Sequence, residues 1–175
     1  MSDRPRRVAA FVDGSNIYYT MRDKLGWTID WQRFRDFLDR FGEVRECNYY
    51  VGLSDEPTQQ GFINMLAYNG YSVFTKDLKS ITTADGSPVR KANMDVEIAV
   101  DMLARLGTYD VVMLASGDGD MERPLQFLRD RGKDVFVIST EGRVAQELLW
   151  LVGANFIDLG RYRTDIERVR GNPEY

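Results

Sequence analysis

Short apolar runs alternate with helix-like segments along the whole chain. The runs are Val8–Val12, Val44–Val51, Tyr71–Thr75, Tyr109–Ala115, Val135–Ile138 and Phe156–Leu159. The clearest of them, Val8-Ala-Ala-Phe-Val12, is apolar at every position. A strand wetted on one side alternates apolar and polar residues, so an unbroken run needs cover on both faces. Strands that alternate with helices and need cover on both faces predict a parallel sheet between two helical layers. The expected fold is therefore α/β, a three-layer α/β/α sandwich with a central parallel sheet, for which 3-2-1-4-5 is taken as the strand order. The whole chain, 1–175, reads as a single domain with a core of about 7–160 and a charged, peripheral tail over 161–175.

Between the runs, helices are predicted over Ile17–Leu25, Trp31–Phe41, Thr58–Tyr68, Asn93–Leu106, Pro124 to about Arg131, and Val144–Leu151. Asp30 is a candidate N-cap, and Gly132 a candidate C-terminal stop. Asp77–Ala92 is polar, basic and turn-rich, and reads as a long loop or a loose hairpin.

Two runs end on aspartate clusters. Asp13-Gly-Ser-Asn16 follows the first run and Ser116-Gly-Asp-Gly-Asp120 the fourth. In open parallel sheets, ligands bind outside the carboxyl ends of the strands where the strand order reverses. Order 3-2-1-4-5 makes strands one and four neighbours at that point, which would bring Asp13, Asp118 and Asp120 together. Each aspartate alone could equally be a turn former or helix cap. A helical projection of residues 93–106 puts Val96, Ile98, Ala99, Met102, Leu103 and Leu106 on one face, with Asp95 inside that apolar sector. Glu97, Asp101 and Arg105 fall opposite, as a solvated face. A carboxylate aimed at a core is costly unless a cation compensates it; otherwise Asp95 only complements the helix dipole.

The chain has no histidine and one cysteine, Cys47. Serine triads, histidine-paired nucleophiles, cysteine-rich or histidine-ligated zinc and an intrachain disulfide are thereby excluded. Four carboxylates without nitrogen or sulfur ligands suit a hard cation, one or two ions of Mg²⁺ or Mn²⁺. Asn16 either caps a helix or contacts substrate; Ser116 either bonds backbone at its turn or lines the site. Lys76, Lys79, Arg90 and Lys91 around the long loop, and Arg143 after the fifth run, are solvated charges or phosphate contacts. Tyr18 and Tyr19 either pack or stack bases.

The ordered set Phe11-Val-Asp-Gly-Ser-Asn16, Lys91-x-x-x-Asp95-Val96 and Ser116-Gly-Asp-Gly-Asp120 resembles NYN domains, in particular the bacterial LabA-like branch of the PIN-like nuclease group, over about residues 7–160. The resemblance implies a Rossmann-like sandwich and metal-dependent cleavage of RNA. It implies that Asp13, Asp95, Asp118 and Asp120 are both catalytic and metal-binding, and that Asn16 and Ser116 line the site; Lys91, Arg90 and Arg143 are read, from their charge and place, as further substrate-binding residues. The expected function is hydrolysis of phosphodiester bonds in single-stranded RNA. The competing reading is a non-catalytic regulatory or RNA-binding module that keeps the acidic pocket, which the net charge of −4 favours modestly.

A small-molecule phosphohydrolase is disfavoured. Asp13-Gly-Ser15 lacks the second aspartate, two positions on, that haloacid-dehalogenase-type phosphatases carry. No nucleotide cofactor is expected, because no G-x-G-x-x-G follows the first strand. No membrane partner is expected either, since no apolar run nears the roughly 18–20 residues of a membrane helix. A short polar N-terminus makes a cytoplasmic location the default, and a homodimer stays open.

Overall fold

In the computed structural model, which describes residues 4–169 except the side chains of residues 81 and 88–91, the apolar runs become one six-stranded parallel sheet. Its strands are β1 (Arg7–Asp13), β2 (Glu43–Leu53), β3 (Ser72–Asp77), β6 (Val111–Ala115), β7 (Asp134–Ser139) and β8 (Phe156–Asp158). The order is β3-β2-β1-β6-β7-β8. That is the expected 3-2-1-4-5 arrangement with the short last strand added at one edge. The turn-rich segment forms a separate antiparallel hairpin, β4 (Lys79–Thr82) and β5 (Pro88–Lys91). Its feet rest on the carboxyl end of β2: a Cβ on Gly52 would lie 2.5 Å from Leu78 and 2.9 Å from Ala92.

Helices α1 (Gly14–Thr20), α2 (Trp31–Leu38), α3 (Pro57–Tyr68) and α7 (Arg163–Ile166) cover one face. Helices α4 (Asp95–Ala104), α5 (Glu122–Asp130) and α6 (Gln146–Val152) cover the other. Along β1, Val8, Ala10 and Val12 enter the first layer and Ala9 and Phe11 the second. This is why β1 carries no polar residue between Arg7 and Asp13. On β2, Val44 and Cys47 share a face although three residues apart. The pairing slips there, from Val8 opposite Val44 to Ala9 opposite Glu46, and the extra residue inverts the alternation. No helix among the described residues is long and apolar enough to cross a membrane.

Three local expectations change. The first helix begins at Gly14, not Ile17, because Asp13 accepts a hydrogen bond from the Asn16 amide at 3.0 Å and is itself the N-cap. Gly14 is required there: a Cβ would sit 2.6 Å from both the Tyr50 carbonyl oxygen and the Tyr49 ring. Residues 161–167, expected to be peripheral, dock instead on α2. Ile166 is fully buried, Tyr162 packs on Phe37, and Arg33 donates to the carbonyls of Glu167 and Thr164. A few apolar residues outweigh the charged composition of that segment.

The third change concerns α4. Ile98 and Met102 are buried, but Val96 is 70% exposed. The helix is turned by roughly two-thirds of one residue's step of about 100° from the expected projection. Its buried line runs through Ile98 and Met102, with Asp95 on one flank and Asp101 and Arg105 on the other. The cause lies in β2, whose Glu46, Asn48 and Tyr50 give that second flank polar partners. Tyr50 Oη donates to Asp101 at 2.7 Å, and Arg105 Nη1 donates to Glu46 at 2.9 Å and Asn48 at 3.0 Å. Asp101 is therefore no solvated bystander. Asp101→Ala should strip the Tyr50 hydroxyl of its acceptor and cost about 1–3 kcal/mol. Chemical denaturation checks this, and an unchanged midpoint would refute it.

Candidate metal centre

The carboxyl ends of β1 and β6 lie side by side, since Val12 pairs with Ala115. Each strand then turns into its own acidic segment. Asp13 is held by two donors: the Asn16 amide, and Ser116 Oγ at 3.3 Å. Ser116 Oγ also accepts from the Asp118 amide at 3.2 Å, so one buried hydroxyl ties the first cluster to the second. A second tie runs from the Gly117 amide to Asn16 Oδ1, at 3.0 Å. Asp118 is the N-cap of a 3₁₀ turn over Gly119–Met121 and accepts from the Asp120 amide at 3.0 Å. That turn aims Asp118 and Asp120 the same way.

Asp95 arrives from the start of α4, where its amide donates to Asn93 Oδ1 at 2.8 Å. Lys76 steadies that loop, pairing with Glu97 at 2.5 Å and donating to the Asn93 carbonyl at 3.2 Å. Asp95, Asp118 and Asp120 each offer one carboxylate oxygen, and these oxygens lie within 4.8 Å of one another. Asp13 stands behind them at 8% exposure. Burial pushes its carboxyl up from the usual range, and the charges of Asp95 and Asp118 add to that push against the bond from Asn16.

A group whose folded pKa is raised contributes stability below its unfolded pKa and loses it as pH rises through the folded value. Ionised Asp13 therefore strains the cation-free protein at neutral pH. Asp13→Asn keeps an acceptor for the Asn16 amide and removes the charge. The cation-free variant should melt higher than the parent at pH 7, and the gap should close as pH falls into the carboxylate range. Melting curves across pH test this; a lower melting temperature at pH 7 would contradict it.

The remaining sequence candidates fall at different distances from this centre. Asn16 does not cap α1; its side chain is the tether to Gly117. Ser116 presents no surface to solvent, so its contribution is to hold the Asp13 carboxylate and the Asp118 backbone together. Arg143 lies beside the site. Its carbonyl accepts from Ser139 Oγ at 3.3 Å, and its guanidinium is 3.9 Å from Asp23. Lys79 is exposed on the hairpin. Arg90 and Lys91 lie on β5, and their side chains are outside the described residues. Lys76 serves the Asn93 loop. Sequence reasoning missed that link, because Lys76 and Asn93 are joined only through the fold.

Comparison with known proteins gives a consistent set of relatives. The NYN domain family profile matches residues 7–160. The low amplitude and bright protein LabA of Synechococcus elongatus is 38% identical over 172 residues, covering 96% of this chain and 91% of that protein. The crystal structure of VPA0982 from Vibrio parahaemolyticus, a protein of unknown function, superposes with a TM-score of 0.80 at 29% identity, covering 96% of this chain and 99% of that one.

Proposed function

The chain belongs to the NYN domain family, and from that premise we propose that it hydrolyses phosphodiester bonds in single-stranded RNA with the help of a divalent cation, Mg²⁺ or Mn²⁺. One observation carries the reading: three carboxylate oxygens, from Asp95, Asp118 and Asp120, gathered within 4.8 Å at the end of a parallel sheet. The donor set fits a hard cation, being oxygen alone. The chain has no histidine, and Cys47 is buried in the layer beneath α2. The raised carboxyl of Asp13 fits as well, since a nearby positive charge would offset its burial.

When bound, such a cation supplies Lewis acidity, lowering the pKa of a coordinated water and neutralising charge on the phosphate. The protein's own part is to hold the acidic groups still. Asp95, Asp118 and Asp120 would hold the ion, and Asp13 would complete the negative field from behind. Ser116 and Asn16 fix the two acidic segments against each other. Asp120, exposed at the rim, is the group best placed to orient the attacking water.

The test is cleavage of a labelled single-stranded RNA with Mn²⁺, Mg²⁺ or excess EDTA. Cleavage that needs the cation is the expected result; full activity in EDTA overturns the metal chemistry. The net charge of −4 favours a second reading, a regulatory or RNA-binding module with the same pocket. A metal-induced rise in melting temperature without turnover would select it.

A further inference from the structure

Tyr18 and Tyr19 are 54% and 44% exposed on α1, the helix that Asp13 caps. Large aromatic rings in water lose hydrophobic free energy, and nothing in the packing of α1 calls for them: Ile17 and Thr20 already bury its inner face. The two rings form one assembly. They meet edge to face at 5.4 Å, and the Arg22 guanidinium lies 4.7 Å from the Tyr19 ring centre and 5.9 Å from that of Tyr18. Tyr19 stands on the same stripe of α1 as Ser15 and Asn16, one turn further from the acidic site. The rings therefore begin about 5 Å along the helix from the residue that touches Gly117.

Further cations adjoin Arg22. Arg22 pairs with Asp23 at 2.5 Å, and Arg143 reaches the same carboxylate at 3.9 Å from the loop after β7. A Cβ on Gly142 would meet Lys24 Nζ at 3.4 Å. Two cations thus share the Asp23 carboxylate and Lys24 lies against the loop that carries one of them, leaving a local positive excess beside a chain that is acidic as a whole. Rings for stacking, fixed in place by a guanidinium and rimmed by excess positive charge, match an unpaired nucleotide with its phosphates.

We infer that Tyr18, Tyr19 and Arg22, with Lys24 and Arg143, form a platform on which unpaired bases of a single-stranded RNA stack one turn of α1 away from the acidic site. The inference deepens the nuclease reading and rests on its choice of substrate, but it concerns binding, so it is separable from turnover. A base pair hides its ring faces inside the duplex. The platform therefore reads strandedness rather than sequence.

The experiment measures affinity for a fluorescent single-stranded oligoribonucleotide and for a duplex of equal length, both in EDTA so that no cleavage intervenes. Tyr18→Ala/Tyr19→Ala should weaken single-strand binding about ten-fold or more, the scale of losing an aromatic stacking partner. Duplex binding should not move. Tyr18→Trp/Tyr19→Trp should keep the parent affinity. Both variants sit on the surface, and unchanged melting confirms that they fold. The platform is overturned if the alanine pair binds the single strand like the parent, if the tryptophan pair loses as much as the alanine pair, or if the parent binds no single strand. If the aromatic dependence holds but no cation elicits cleavage, the nuclease reading fails and the platform stands.

Discussion

Asp118→Asn should abolish cation-dependent cleavage of single-stranded RNA while the protein stays folded. The expected loss exceeds the ~10–100-fold typical of changes behind a metal's ligands, because one of the charges that would hold the ion is itself removed. The fold survives because the local bonds do not need that charge. An asparagine oxygen still accepts from the Asp120 amide, and the Asp118 amide still donates to Ser116. Melting with and without Mn²⁺ supplies the independent readout. A ligand at 100 times its Kd stabilises by about 2.7 kcal/mol, and the variant should lose most of that shift. Asn16→Ala should fall in the milder range, since it cuts a tether and no ligand. Parent-like cleavage by Asp118→Asn would move the chemistry to another site.

Gly117→Ala should be the most damaging addition of a single carbon. Its Cβ would sit 2.8 Å from the Arg143 carbonyl carbon and 2.9 Å from Ser139 Oγ, and closer still to the Arg143 carbonyl oxygen. Backbone lies on both sides of this contact, so no flexible side chain can yield. Overpacking of this kind typically costs about 1–3 kcal/mol. Relief means moving either the loop that carries Asp118 or the loop that carries Arg143. The Gly117 amide would then leave Asn16, and the Ala145 amide would leave the Gly117 carbonyl. Melting temperature and Mn²⁺-dependent cleavage should fall together. A variant with parent stability and parent cleavage would show that the loops are looser than this contact implies.

The layered sheet was legible because its signal is local. An apolar run such as Val8–Val12 can be buried on both faces only between helices, and chain order then limits the topology to a few choices. The two aspartate clusters were legible for the same reason, each ending a run. What stayed hidden depends on partners distant in sequence. The true rotation of α4 follows from Glu46, Asn48 and Tyr50, some fifty residues earlier, and from a bulge that inverts the faces of β2. Asp95 kept its place on the site's flank through that rotation only because its buried neighbour Ile98 lies near it on the helix. The docking of Ile166 was masked by the charges around it. That Asn16 is a tether could not be read from a turn whose other half lies a hundred residues away.

The pair of ties across β1 and β6 has a thermodynamic consequence. Ser116 and Asn16 tie the two acidic segments through hydrogen bonds between protein groups alone, so the placing of Asp13 against Asp118 does not draw on a cation's bonds. An apparent dissociation constant is the intrinsic one divided by the competent fraction, and ties of this kind keep that fraction high. The chain should therefore behave as the opposite of a zinc finger, in which metal binding and folding are one event. On the proposed metal chemistry, removing the cation should stop cleavage and leave the circular dichroism as it was, and returning it should restore cleavage.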